Sequence, residues 1–167
     1  SFVQALPYSQ LVVIGDSLAD SGNYAAGSGD RTLTPIEEGF IPDFPYEESK
    51  RYSNGPVWVE QFANKLGLNA QASALGGTNF AFGAALAGPA GSGFPFSLTD
   101  QVGMYLDATG GIADGNALYV VVGGGNDLLN VFDPRVFADP GTIIDTYIQS
   151  IASILTRLSN AGAHHVL

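Results

Sequence analysis

The sequence predicts an α/β protein, a three-layer α/β/α sandwich built on a parallel sheet. Two continuous apolar runs, residues 11–14 and 117–122, have the composition of strands that are buried on both faces. Segments with helical periodicity alternate with them, and this alternation implies crossover connections and parallel pairing. We expect about four strands in all, with a weaker one at 68–72 and a last one beginning at residue 163.

Composition excludes several classes of protein. The 167 residues contain no cysteine, so neither a disulfide scaffold nor a thiolate metal site is available. Six basic and 16 acidic side chains give a formal charge of −10. Such a chain repels phosphate backbones and anionic headgroups, so we expect no nucleic-acid partner. No apolar run approaches the roughly 18 residues of a membrane helix, so we expect no transmembrane segment.

Three helices follow from local sequence signals. Pro56 opens the first, because the missing N–H of proline costs nothing in a first turn. Ser97 and Asp100 form a capping box that predicts a helix over 98–109. Thr142 can cap a third, long helix whose isoleucines and leucines recur at helical spacing.

Residues 21–54 show no sustained periodicity and predict a long loop. Loops of this length in compact domains are often functional covers or binding segments. Phe40, Phe44 and Tyr46 give the loop an aromatic content suited to apolar ligands, and they are candidate substrate contacts. A surface loop packed on itself is an equally open interpretation.

Two polar turns follow the two clearest strands. Ligands of an open parallel sheet bind outside the carboxyl ends of its strands. Ser17 lies in the first turn, where it is either a nucleophile or an ordinary helix cap. Asn126 lies in the second turn, where its amide either stabilises an oxyanion or only supports the turn.

Four segments carry a resemblance to a known family. Residues 15–23 read GDSLADSGN, 79–85 read NFAFGAA, 124–127 read GGND, and 51–60 read RYSNGPVWVE. The sequence resembles the GDSL (SGNH) hydrolases from about residue 11 to its end. It is most similar to secreted esterases and lysophospholipases whose catalytic domain can be an autotransporter passenger.

The resemblance implies a flavodoxin-like parallel sheet and a set of site residues. Ser17 would be the nucleophile and would also give its backbone N–H to the oxyanion hole. Gly83 would donate a second backbone N–H, although a glycine that only allows close backbone packing is an alternative. Asn126 would complete the oxyanion hole with its side chain. The supporting residues would be Asp16, Asp20, Asn23 and Asp127.

The three aspartates among these residues also raise the possibility of a metal site. Hard cations need convergent oxygen ligands, and the spacing of Asp16, Asp20 and Asp127 fits no calcium loop. We expect these carboxylates to support the turns by hydrogen bonding. The sequence therefore predicts no metal and no cofactor.

The family's last motif, Asp-x-x-His, does not occur in the sequence. His164 and His165 begin the last predicted strand, at the sheet edge opposite Ser17. Four to six strand residues separate the two edges by roughly 13–20 Å, so we interpret both histidines as structural. We expect residues 1–167 to be the amino-terminal portion of one hydrolase domain, truncated after about the fourth strand. The remaining carboxyl-terminal part would be cleaved off, disordered or on a separate chain.

The expected activity is hydrolysis of carboxylic esters, of the esterase, lipase or lysophospholipase type, through a serine acyl-enzyme. The partner is then an ester or lipid substrate. An acyltransferase on the same residues and a non-catalytic surface binding module remain open. A second enzymatic interpretation is an α/β-hydrolase, whose nucleophile lies in a Gly-x-Ser-x-Gly elbow. The last position of that motif is Ala19 here, so the sequence does not match it. The chain starts at Ser1 without a leader, which fits a mature secreted or cell-surface protein, in the outer membrane if it is an autotransporter passenger.

Overall fold

A parallel sheet forms the centre of the molecule. The computed structural model describes residues 7–29, 32, 42, 44–89, 93–136 and 138–167. The elements within them are β1 (Leu11–Gly15), α1 (Asn23–Gly27), α2 (Trp58–Lys65), α3 (Leu98–Ala108), β2 (Leu118–Val122), α4 (Gly125–Phe132), α5 (Pro140–Ala161) and β3 (His165–Val166).

The strands pair in the order β1-β2-β3, and both pairings are parallel. Leu11 is in register with Leu118, and Gly15 is in register with Val122. His165 of β3 pairs with Leu118, at the beginning of β2. The predicted α/β fold with a parallel sheet is therefore confirmed.

Helices cover both faces of this sheet. Val12 and Ile14 point into one apolar cluster with buried side chains of α3 and α5. Leu11 and Val13 point into a second cluster with Val59 and other buried side chains of α2. Because successive side chains of a strand point to opposite faces, the continuous apolar run at 11–14 fills both clusters. The three predicted layers are present.

The strand predicted at 68–72 is wrong. Ala72 forms only a single bridge with Asn79, and residues 78–82 instead lie beside β1. The Phe80 N–H donates to the Val13 carbonyl at 2.7 Å, and the Phe82 N–H donates to the Gly15 carbonyl at 3.1 Å. The described part of the chain therefore has three strands plus this paired segment, rather than four regular strands.

A close backbone approach at Gly77 explains why residues 78–82 lie beside β1. A Cβ atom at Gly77 would lie 2.0 Å from the Gln71 carbonyl oxygen. Only glycine allows the chain to double back so closely, and the turn brings residues 78–82 to β1.

The helix boundaries confirm some sequence signals and correct others. The capping box of Ser97 and Asp100 begins α3 as predicted. Asp139, not Thr142, caps α5, because its side chain accepts the Thr142 N–H at 3.1 Å ahead of Pro140. Pro56 lies just before α2 rather than in its first turn.

Two short α-helices of the described residues were not predicted. The first, α1, lies in the segment interpreted as a loop, and the second, α4, follows the glycines after β2. Within the described residues, no helix combines the length and apolar character needed to cross a membrane.

Candidate active site

The two polar turns lie side by side at one edge of the sheet. Gly15 and Val122 are the last residues of β1 and β2, and they pair with each other. Ser17 follows Gly15, and Asn126 follows Val122 in the first turn of α4. A Cβ atom at Gly125 would lie 3.9 Å from Asp16 Oδ2, so the two turns are close neighbours.

The turn around Ser17 is organised by Asp16. The Asp16 carboxylate accepts the Leu18 N–H at 3.0 Å, and the Asp16 carbonyl accepts the Ala19 N–H at 3.0 Å. Burial raises the pKa of the Asp16 carboxyl, the bond from Leu18 opposes this, and the charge of Asp127 adds to it. Ser17 is only half-buried, so solvent or a ligand can reach it. The hydrogen bonds of Asp16 hold the turn that carries it.

Asp20 joins the Ser17 turn to the segment at 79–85. Its Oδ1 accepts the N–H groups of Gly22 at 2.8 Å and Asn23 at 2.7 Å. Its Oδ2 accepts those of Tyr24 at 3.1 Å and Gly83 at 2.8 Å. Burial raises the pKa of the Asp20 carboxyl, and the four backbone donors oppose that shift. The carboxylate thus fixes the start of α1 and the turn at Gly83 together.

The conformation of the turn at Gly83 is restricted by a steric contact and by an unusual backbone angle. A Cβ atom at Gly83 would lie 2.2 Å from the ring and hydroxyl of Tyr52, so only glycine fits there. Ala84 has a φ of 61°, a left-handed conformation that is uncommon for residues other than glycine. The Gly83 N–H is bonded to Asp20, whereas the Ala84 N–H has no hydrogen bond within the described ranges.

Asn126 is oriented by the same segment. Gly124, with a φ of 108°, starts α4, and the side-chain amide of Asn126 donates to the Ala85 carbonyl at 2.8 Å. A carboxamide carries two N–H donors, so one remains for another acceptor. The buried carboxylate of Asp127 accepts the Ala87 N–H at 3.0 Å. Residues 85–87 and the start of α4 therefore hold each other in place.

Two buried asparagines support these turns from below. Asn23 donates to the carbonyls of Asn79 at 2.7 Å and Ala81 at 2.9 Å. Asn79 donates to the Ala19 carbonyl at 2.8 Å and to the Ser21 hydroxyl at 2.9 Å. Asn79 was not singled out from the sequence, although its place at the head of the second motif was the available signal.

The aromatic loop candidates are only partly described. Phe40 lies outside the described residues. Phe44 packs against Tyr24 with ring centroids 6.2 Å apart, and the Tyr46 N–H donates to the Arg51 carbonyl at 2.8 Å. These contacts are internal to the protein, and substrate contact by the loop stays a prediction.

The two histidines lie away from Ser17. His165 pairs with Leu118 at the beginning of β2, whereas Ser17 follows the end of β1. This confirms the expectation that the histidines lie at the opposite edge. They are too distant to serve Ser17 as a general base.

A cavity of about 290 Å³ opens beside the Asn126 turn. Its walls are mostly apolar and come from the glycine turn, α4 and α5, and the Tyr147 ring packs against Gly124. The lining residues are Gly123, Gly124, Gly125, Asp127, Leu128, Val131, Ile143, Ile144 and Tyr147.

Comparison with known proteins identifies the family of the chain. Residues 11–166 match the family described as GDSL-like Lipase/Acylhydrolase. The chain belongs to this family. The GDSL motif at 15–18 accordingly forms the turn that carries Ser17, and the GGND motif at 124–127 forms the turn that carries Asn126.

Individual relatives of this GDSL chain carry related names. Lipase 1 of Photorhabdus luminescens is 35% identical over 96% of the chain and 22% of its own length. A GDSL esterase/lipase of Arabidopsis thaliana is 29% identical over 94% of the chain and 50% of its own length. Phosphatidylcholine-sterol acyltransferase of Aeromonas hydrophila is 37% identical over 42% of the chain and 18% of its own length. The chain thus spans at most half the length of these relatives.

Proposed function

We propose that the protein is a serine hydrolase of carboxylic esters, of the esterase, lipase or lysophospholipase type. The observation that carries this proposal is the pairing of Gly15 with Val122, which sets the Ser17 turn beside the Asn126 turn. A nucleophile and an amide donor at one sheet edge are the elements that acyl transfer requires.

In the proposed reaction, the Ser17 hydroxyl attacks the ester carbonyl. The hydroxyl proton passes to a general base and then to the leaving alcohol, and an acyl-enzyme remains. Water then attacks the acyl-enzyme, releases the carboxylic acid and restores Ser17. The acyl-enzyme intermediate thereby divides one difficult substitution at the ester carbonyl into two easier steps.

Three donors would stabilise the negative oxygen of each tetrahedral intermediate. They are the Ser17 N–H, the second N–H of the Asn126 amide, and a backbone N–H of the turn at Gly83. Gly83 is the donor that the family resemblance implies, and Asp20 already accepts its N–H. Within the part of the chain that the structure describes, the Ala84 N–H has no hydrogen bond, so Ala84 is a second candidate for this third donor beside Gly83.

The general base would come from outside these 167 residues. No Asp-x-x-His occurs in the sequence, and the histidines that it contains lie at the opposite sheet edge. We therefore propose that the catalytic aspartate and histidine lie in a carboxyl-terminal part of the same domain. That part is either continuous with this chain or a separate chain.

Labelling with a fluorophosphonate tests the nucleophile directly. The complete protein should be labelled at Ser17, and Ser17→Ala should abolish labelling and lower ester turnover by a factor on the order of 10⁶. Ser159→Ala, an exposed serine of α5, is the matched control and should change neither. Absence of labelling at Ser17 would contradict the proposal and favour a non-catalytic binding module.

Acyl transfer to an alcohol is a second candidate. The relative named as a phosphatidylcholine-sterol acyltransferase, 37% identical over 71 residues, favours it. The two functions differ only in whether water or an alcohol takes the acyl group. Product analysis with an ester donor and a sterol or long-chain alcohol would separate them, because a hydrolase yields free acid as the main product.

The apolar cavity beside Asn126 supports an ester with an apolar acyl chain. Small-molecule sites are mostly apolar clefts with a few polar groups that fix orientation, and this cavity matches that description. We further propose a secreted or cell-surface location, with an autotransporter passenger as the narrower possibility. Cell fractionation of the native host tests the location.

A further inference from the structure

The geometry points to Gln101 as a positioning residue that fixes the backbone leading into Ser17. Gln101 lies in α3 and is completely buried. Its Oε1 accepts the Gly15 N–H at 2.8 Å, and its Nε2 donates to the Gly15 carbonyl at 2.9 Å. A single side-chain amide therefore pairs with both main-chain polar groups of the residue that ends β1.

One of these bonds, from the Gly15 N–H to Gln101, takes the place of a regular sheet hydrogen bond. Beside β1, the Val13 N–H donates to the Thr78 carbonyl, and the Phe80 N–H donates to the Val13 carbonyl. Continued evenly along a parallel ladder, that pattern would give the Gly15 N–H a backbone acceptor two residues beyond Thr78. The Gly15 N–H bonds to Gln101 instead, whereas the Gly15 carbonyl still accepts the Phe82 N–H at 3.1 Å. Gln101 therefore supplies the one ladder hydrogen bond that is missing where the chain turns toward Ser17.

The side chain of Gln101 is itself held firmly. Its remaining N–H donates to the Phe96 carbonyl at 2.9 Å, so the oxygen and both N–H groups of the amide are used. The helix behind it is fixed by the Ser97 cap and by Leu98 and Val102, which are buried in the core. Gln101 thus ties the nucleophile turn to a packed helix rather than to a mobile loop.

The space around Gly15 makes this support consequential. A Cβ atom at Gly15 would lie 3.0 Å from the Val122 carbonyl oxygen and 3.2 Å from Ala19 Cβ. Such close contacts favour glycine at this position, yet glycine is also the residue whose backbone rotates most freely. A rotation at Gly15 would move the Ser17 hydroxyl relative to Asn126. The amide of Gln101 restrains that rotation.

This role rests on the proposed function of Ser17, and its test uses the complete protein. Gln101→Met keeps the size of the side chain and removes all three hydrogen bonds. We expect kcat for a short ester and the rate of fluorophosphonate labelling per folded molecule to fall about 100-fold, because misplacing a reacting group by about 1 Å costs that much. KM should change less than about threefold, since the acyl site is untouched.

Tyr105→Phe is the matched control, because it removes a buried hydrogen bond, the one with the Tyr119 hydroxyl, from the next turn of α3 without touching Gly15. At equal folded fraction, measured by circular dichroism, it should leave kcat and labelling within about threefold of wild type. An equal loss of rate in both variants would mean that Gln101 only stabilises the fold, and the positioning role would be overturned.

Gln101→Glu provides a second readout if the methionine variant folds poorly. Its protonated carboxyl can accept from the Gly15 N–H and donate one hydrogen bond, whereas its ionised form cannot donate. The labelling rate relative to wild type should therefore fall as pH rises from about 5 to about 8, because a buried carboxyl titrates above its ordinary range. A ratio that is near one throughout would overturn the positioning role.

The two proposals fail in distinguishable ways. No labelling of Ser17 in the wild-type protein would overturn the proposed function and the role that rests on it. Normal wild-type labelling with an unchanged rate in Gln101→Met would overturn the positioning role alone.

Discussion

At the residue scale, the candidate site is built around buried carboxylates that accept backbone N–H groups. Asp16, Asp20 and Asp127 each close a turn in this way. Burying a charge is costly unless it is hydrogen-bonded, and for Asp16 and Asp20 burial still raises the pKa. The charged forms of these carboxylates therefore lower the stability of the folded protein at neutral pH. Their hydrogen bonds fix the turns beside Ser17.

Asp16→Asn should reveal this cost as a dependence of stability on pH. The raised pKa means that the folded state binds the proton more tightly than the unfolded state. The stabilising contribution of Asp16 is then complete below its ordinary pKa of 3.8 and is lost as pH rises through the raised value. Asparagine keeps the acceptor for the Leu18 N–H without a charge, so the variant should gain stability over wild type as pH increases.

Urea unfolding at several pH values from about 4 to about 7 measures this difference. Asp107→Asn, an exposed carboxyl on α3, is the control. A difference between Asp16→Asn and wild type that does not change with pH would contradict the prediction.

Asn126 gives a second prediction at this scale. Loss of one oxyanion donor typically costs about 10²–10³ in kcat, so Asn126→Ala should lower ester turnover by that factor with little change in KM. Asn126→Asp should be at least as impaired, because its negative charge would face the developing oxyanion. Asn130→Ala, one turn further along α4, should stay within about threefold of wild type. Equal kinetics for Asn126→Ala and Asn130→Ala would remove Asn126 from the proposed oxyanion hole.

At the element scale, the junction of β2, α4 and α5 shapes the approach to the site. Gly124 adopts a left-handed φ, and a Cβ atom there would lie 2.6 Å from the Tyr147 ring. The close packing of Tyr147 on this glycine brings the first half of α5 to the Asn126 turn. The apolar cavity lies between these two helices, at a place where an acyl chain could extend from a carbonyl at Asn126.

Filling this cavity should alter the preference for acyl-chain length. Ile144 lines the cavity and is 47% exposed, so tryptophan can replace it without entering the core. Each buried methylene contributes about 0.8 kcal/mol, so displacing two of them should lower kcat/KM for an octanoate ester about 15-fold. The same value for an acetate ester should stay nearly constant.

Ile148→Trp is the matched control, because Ile148 lies one turn further along α5, is 56% exposed and does not line the cavity. Chain-length profiles with p-nitrophenyl esters measure the effect. If the two tryptophan variants have the same profile, the acyl chain does not bind in this cavity.

Some elements of this fold are specified by local sequence, and others depend on contacts between distant residues. The strands β1 and β2 were predictable because an unbroken apolar run fits burial on both faces. The helix α3 was predictable because its capping box is local in sequence. In contrast, α4 begins with glycines, which are poor helix formers, and its start is fixed by contacts with residues 85–87.

The role of Gln101 could not be read from the sequence either. A glutamine in an amphipathic helix predicts an exposed position, and its partner, Gly15, is 86 residues away. The same limit applies to the segment at 78–82, whose pairing with β1 depends on a close backbone approach at Gly77. Contacts between distant residues decided each of these cases.

At the scale of the whole molecule, apolar surface lies exposed on α4 and α5. Leu128, Leu129 and Phe132 of α4 are more than half exposed, with Phe132 at 76%. Contiguous apolar surface of this kind usually contacts further protein or a ligand. The proposal that the catalytic aspartate and histidine lie in another part of the domain gives this surface a partner.

Separate expression of residues 1–167 and of the rest of the domain tests that proposal. Residues 1–167 alone should be almost inert toward esters, because loss of the triad histidine costs on the order of 10⁶ in turnover. They should also bind a hydrophobic dye such as ANS. Adding the carboxyl-terminal part should restore ester turnover and reduce dye binding together, and Ser17→Ala in the first part should prevent only the recovery of turnover. Full ester turnover by residues 1–167 alone would show that the general base lies within them, and the division of the site between two parts of the domain would then be wrong.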